Sequence, residues 1–79
     1  MKFYVYEKTY NGQGSEKAFA VHDQFNRTYW IPRSQIKVEE KSTPISEFDE
    51  VVLTVEVADW IIKKNRLPIF KLTEMQLVK

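Results

Sequence analysis

The hydrophobic pattern switches period along the chain. From Lys2 to Tyr6 it alternates, with Phe3 and Val5 on one face and Tyr4 and Tyr6 on the other, which predicts a strand. Thr9–Lys17 predicts a loop, because Asn11-Gly12 and Gly14-Ser15 are turn chemistry and both glycines of the chain lie here. Ala18–His22 and Thr28–Ile31 predict a hairpin around an Asp23–Arg27 turn, with Asn26 suited to a left-handed position. Pro32 interrupts the second of these strands, since proline lacks the ladder donor. Gln35–Glu39 resumes the pattern with Ile36 and Val38 on one face.

Glu40–Glu50 is polar and carries Glu47, Asp49 and Glu50, so it predicts an exposed acidic loop. Val51–Val57 is the strongest strand: Val51, Leu53, Val55 and Val57 share one face, and Val52, Thr54 and Glu56 the other. The period then becomes helical. Val57, Trp60, Ile61, Lys64 and Leu67 mark one helix over Ala58–Leu67, with Lys64 the misfit. Asp59 at its start and Lys63, Lys64 and Arg66 at its end complement the helix dipole, and Pro68 closes it. Ile69–Leu72 reads as a short last strand, while Thr73–Lys79 fits a strand extension, a helix or a frayed end alike.

These elements predict one domain over residues 1–79 of α+β class: a small curved antiparallel sheet or open barrel of four to five strands, with one helix covering an end or a face. At this size the core is thin. Trp30 and Trp60 are therefore expected as its aromatic anchors, with Leu53 and Val55 buried beside them.

The string Tyr29-Trp30-Ile31-Pro32-Arg33-Ser34-Gln35-Ile36 resembles one found in small uncharacterised proteins of bacteria and their phages. In that group an apolar strand opening with Lys-Ala precedes the Trp-Ile-Pro string, an acidic loop follows, and an acidic-Trp-aliphatic motif opens a short helix. The matching positions are Lys17-Ala18, Trp30–Ile36, Glu47–Glu50 and Asp59-Trp60-Ile61-Ile62 through Leu67. Asn65-Arg66 stands where the group often has Lys-Gly, so the helix is expected to end less abruptly. The resemblance implies a fold unit and a microbial or phage setting, not a reaction.

Composition narrows the chemistry. There is no cysteine, so no disulfide or thiolate metal site forms, and a reducing cytoplasm of a bacterial or phage-infected host cell is the expected location. No segment is apolar enough to span a membrane, and Met1–Tyr6 is too short an apolar run for a secretory signal. His22 is the only histidine and reads as structural or exposed rather than as a base or a ligand. Ser34 lacks a nucleophile elbow and reads as satisfying backbone at the proline corner. The carboxylates at Glu39, Glu40, Glu47, Asp49 and Glu50 match no calcium loop, and Gly12-Gln13-Gly14 lacks the rest of a phosphate loop. No cofactor, metal, small-molecule substrate or catalytic residue is expected, and the chain does not read as an enzyme.

Binding is the remaining class. Twelve Lys and Arg against eleven Asp and Glu leave a net charge of +1, which favours a protein partner or self-association over nucleic acid. A single-strand nucleic-acid surface is the alternative, built from Tyr4, Tyr6 and Tyr29 with Arg27 and Arg33 interleaved. The basic helix end Lys63, Lys64 and Arg66 would add phosphate contacts.

Overall fold

The computed structural model describes residues 1–79 as an α+β, β-rich unit of six strands in two antiparallel sheets with two helices, not closed into a barrel. The elements run β1 (Lys2–Tyr6), α1 (Glu7–Gly12), β2 (Ala18–His22), β3 (Thr28–Pro32), a 3₁₀ turn (Arg33–Gln35), β4 (Ile36–Lys41), β5 (Val52–Val57), α2 (Asp59–Asn65) and β6 (Gln76–Leu77). The larger sheet has the order β4-β5-β1-β6, and β2 and β3 form a separate hairpin.

The alternation in the sequence sets the register. Phe3 lies opposite Val55 and Val5 opposite Leu53 on the buried face, while Tyr4 faces Thr54 and Tyr6 faces Val52 on the open face. In the hairpin, Phe19 pairs with Ile31 and Val21 with Tyr29. Phe3, Val5, Phe19, Val21, Ile31, Ile36, Leu53, Val55, Val57, Ile61, Leu67 and Met75 form one buried cluster. Leu53 and Val55 thus lie at its centre, on the strand flanked by β4 and β1.

Trp30 and Trp60 do not anchor this core: they are 55% and 53% exposed. Trp30 sits between Tyr29 and Ile31, which face Val21 and Phe19 across the hairpin, so strand alternation sends it to the outer face, opposite Ala20. In α2 the buried positions are Ile61 and, just past the helix, Leu67. Trp60 shares the solvent side with Lys64 one turn on, whose Nζ lies 5.9 Å from the indole centroid.

Four local expectations also change. The stretch read as loop begins with α1, a six-residue helix that buries no residue of its own. Tertiary contacts hold it: Glu7 N–H donates to the Val51 carbonyl at 2.9 Å, and the Tyr10 ring packs on Phe19 with centroids 5.3 Å apart. β4 runs to Lys41, shortening the acidic loop, and its register shifts between Val38 and Glu40. Val38 pairs with Val55 yet stays exposed, because β4 is the edge strand and no strand covers its outer side. Ile69–Leu72 makes only an isolated bridge between Leu72 and Asp23, and the last strand forms at Gln76–Leu77 instead. The helix does end abruptly: Arg66 takes a left-handed conformation (φ 52°), the conformation a glycine would supply without strain. Asn26 takes the left-handed position in the hairpin turn (φ 64°).

Candidate functional site

The candidate binding residues do not converge on one surface. Arg33 is a structural clamp. Its Nε donates to the Ser15 carbonyl at 2.7 Å, Nη1 to Tyr10 at 2.8 Å and Nη2 to Gln13 at 2.8 Å, while the guanidinium lies over the Tyr10 and Phe19 rings at 4.7 and 5.6 Å. A planar cation with several donors is the side chain that can gather three carbonyls from one tight loop. Gly14 lets that loop close: at φ 89° a Cβ there would run into the Ala18 carbonyl.

Arg27 and Tyr29 belong to a second internal network, centred on the buried Asp23. Asp23 Oδ1 accepts from the N–H groups of Phe25 (2.9 Å) and Arg27 (3.0 Å), and Oδ2 from Arg27 Nε (2.7 Å) and the Tyr29 hydroxyl (3.1 Å). Burial pushes the Asp23 carboxyl up, but these donors, Arg27 foremost, outweigh it and hold it down at about 2. Burial and the bond to Asp23 raise the Tyr29 phenol. Lys63, Lys64 and Arg66 lie at the exposed end of α2, on a different part of the molecule.

Tyr4 and Tyr6 remain, and they line a groove of about 880 Å³. One wall is β1 at Tyr4–Tyr6 with Thr9 of α1; the other is the segment from Ile69 to Leu77, including Phe70, Leu72 and Met75. That second wall has almost no regular structure and is held by clips to the β2–β3 turn. Gln24 N–H donates to Lys71 O at 3.1 Å and Thr73 N–H to His22 O at 2.9 Å. His22 N–H donates to Glu74 Oε2 at 2.7 Å, and His22 Nδ1 lies 2.6 Å from Glu74 Oε1. Burial raises the Glu74 carboxyl, yet the His22 backbone and ring bonds leave it below its ordinary value.

The groove floor has an open backbone edge. β6 pairs only with Phe3 and Tyr4; Val5 directs its backbone to Leu53 of β5, so Tyr6 is the β1 residue whose backbone faces the side β6 leaves open. Sequence reasoning found Tyr4 and Tyr6 from alternation alone, but missed Phe70, Met75 and Glu74. Their role depends on clips between residues some fifty positions apart, such as His22 and Glu74, and no local pattern encodes them.

The groove's titratable side chains are Tyr4, Tyr6, Glu74 and Lys79. The His22–Glu74 pair orients an imidazole, but no hydroxyl donates to His22 Nε2, so the nucleophile that such a base would serve is not in place. No three carboxylate or imidazole groups cluster in a way that would hold a metal ion, and no helix is long and apolar enough to cross a membrane.

The cations around the tyrosines are largely committed to acids: Lys2 to Glu39 at 2.9 Å, Lys41 to Glu7 at 2.8 Å, and Lys8 to Glu50. The open face of the larger sheet is therefore a mixed-charge surface, not a basic one. No protein-family model, curated protein or solved structure matches the chain.

Proposed function

We propose that the chain is a non-catalytic accessory module, of bacterial or phage origin as its resemblance implies, that binds an extended segment of a partner protein in the groove beside β1. The single observation that carries this reading is the β1 edge at Tyr6, where β6 has ended and the backbone lies against a mixed polar and apolar groove of about 880 Å³. An extended peptide satisfies such an edge with its backbone and fills the flanking pockets with alternate side chains. Tyr4, Tyr6 and Phe70, all exposed, supply the large amphipathic contacts that interfaces favour. The nucleic-acid alternative is the weaker one, because Arg33 spends all three of its guanidinium nitrogens on backbone carbonyls and Lys2 and Lys8 each stand beside an acid that a phosphate would meet.

The test is affinity purification from the native host, with and without nuclease, using the wild type beside a Tyr4→Arg/Tyr6→Arg variant. Both side chains are half exposed on the open sheet face, so the variant is expected to keep the wild-type melting temperature. A nuclease-resistant complex that the variant loses supports the reading. A complex that nuclease destroys, or that the variant retains, overturns it.

A further inference from the structure

Two exposed surfaces outside the groove carry opposite charge. The first is the loop between β4 and β5. Its neck is closed by Ser42, whose N–H donates to Val52 O while its Oγ accepts from Val52 N–H, both at 2.9 Å. Inside it, Asp49 Oδ2 accepts from Ile45 N–H (2.8 Å) and Ser46 N–H (3.2 Å). This ordered loop holds Ile45 at 96% and Phe48 at 87% exposure, the two most exposed large apolar side chains in the chain. Glu50 is engaged by Lys8, whereas Glu47 and Asp49 have no cation beside them.

The second surface is the outer side of α2. Trp60 and Lys64 stack there one turn apart, and Lys64 has no acid partner, while Lys63 lies on the neighbouring side of the helix near Met1 and Asp59 without a salt bridge. The nearest carboxylate on that helix, Asp59, is taken up by the Met1 ammonium at 2.9 Å.

The topology keeps these two surfaces apart. The loop enters β5 at Val52 and α2 leaves it just after Val57, so they lie at opposite ends of one six-residue strand. That strand spans about 17 Å. An apolar, acidic tip and an aromatic, basic helix side are complementary, yet they do not meet within one chain.

We infer that the two surfaces meet between copies: the Ile45–Phe48 tip of one molecule docks on the Trp60 and Lys64 side of the next. The occupant of each surface is a second copy of this chain, chosen by charge complementarity between the two patches. The contact is head-to-tail, so each added copy presents a fresh tip and a fresh helix side, and association is open-ended unless the rotation closes a ring. The contact area is small and rim-like, so association belongs in the range of about 0.1–1 mM and weakens with salt.

Sedimentation velocity of the full chain over that range tests this. The expected result is a mean mass that climbs with concentration past the 9.4 kDa monomer and past the dimer, with the association constant falling at least about threefold between low and high salt. A Glu47→Gln/Phe48→Ser variant and a Trp60→Ala/Lys64→Ala variant each keep one surface. Alone, each stays monomeric; mixed, they form a capped pair of one copy each. A wild type that stays monomeric throughout overturns the inference. So does assembly that survives in either variant alone, or a mixture that forms no pair. Neither variant touches Tyr4 or Tyr6, so this outcome is independent of the groove.

Discussion

Arg33 and Tyr10 are joined twice: the guanidinium lies 4.7 Å from the centre of the tyrosine ring, and its Nη1 donates to the Tyr10 backbone carbonyl at 2.8 Å. A short helix with no buried residue of its own is thus pinned by a side chain twenty-three positions away. Arg33→Ala removes three charge-assisted bonds and leaves three carbonyls to find water. It is expected to destabilise the fold by about 2–4 kcal/mol in urea denaturation. Arg33→Lys recovers only part of the loss, because an ammonium cannot reach all three carbonyls in one plane. Unchanged stability in both variants would return Arg33 to the list of binding candidates.

The tryptophans make the opposite prediction. With more than half of each side chain in water, Trp30→Ala and Trp60→Ala should each cost no more than about 1 kcal/mol, against roughly 3–5 kcal/mol for a buried indole. Acrylamide should quench the fluorescence of both freely, and single-tryptophan variants assign the signal. Strong protection of either indole, or a loss of several kcal/mol, would place that ring in the core after all.

Those same residues show where the fold was legible. Alternation in Lys2–Tyr6 and Val51–Val57 specified two central strands and which side of each is buried, because a one-residue slip would turn every side chain over. In Thr28–Pro32 parity only puts Trp30 on the face opposite Tyr29 and Ile31; which face is buried depends on Phe19 and Val21 across the hairpin, a long-range contact the strand's own pattern does not carry. In α2 the misfit at Lys64 was the signal, because a lysine one turn from Trp60 marks that side as wet. By contrast, α1 and the segment from Ile69 to Met75 owe their shape to Arg33, His22 and Glu74 acting at long range. The groove was hidden with them.

Asp23 sets an acid limit on the fold. Its carboxyl is held at about 2, below its ordinary 3.8. A depressed carboxyl stabilises the native state fully above its ordinary value, and that contribution fades as pH falls toward the folded value. Asp23→Asn places an amide beside the Arg27 guanidinium and should lower the melting temperature by more than about 5 °C near neutral pH. The gap between wild type and variant should stay constant down to about pH 4 and close by about pH 2. A gap that is the same at every pH would mean that the carboxylate's charge is not what the hairpin turn uses.

Single-stranded nucleic acid provides the sharpest contrast with a protein partner. Base stacking on Tyr4 and Tyr6 would need phosphate-binding cations near them, since the backbone term supplies most of the non-specific affinity. All but the Nη groups of Arg27 are engaged. Lys2 holds Glu39 at 2.9 Å, Lys8 holds Glu50, Arg27 is bound to the buried Asp23, and Arg33 is spent on three carbonyls. Freeing Lys2 or Lys8 for a phosphate would strand an acid on the same face, which then repels the next phosphate along. Anisotropy titrations with labelled single-stranded DNA and RNA are therefore expected to stay flat up to about 0.1 mM protein at moderate salt. If binding appears instead, a Glu39→Gln/Glu50→Gln variant separates two origins. Affinity that rises sharply when those acids are neutralised, and falls when Tyr4 or Tyr6 is replaced by Ala, would locate the nucleic acid on the sheet face and displace the peptide groove as the working surface. Affinity that ignores all four positions and follows Lys63 and Lys64 would place it on α2, where the lysines have no acid partner to give up.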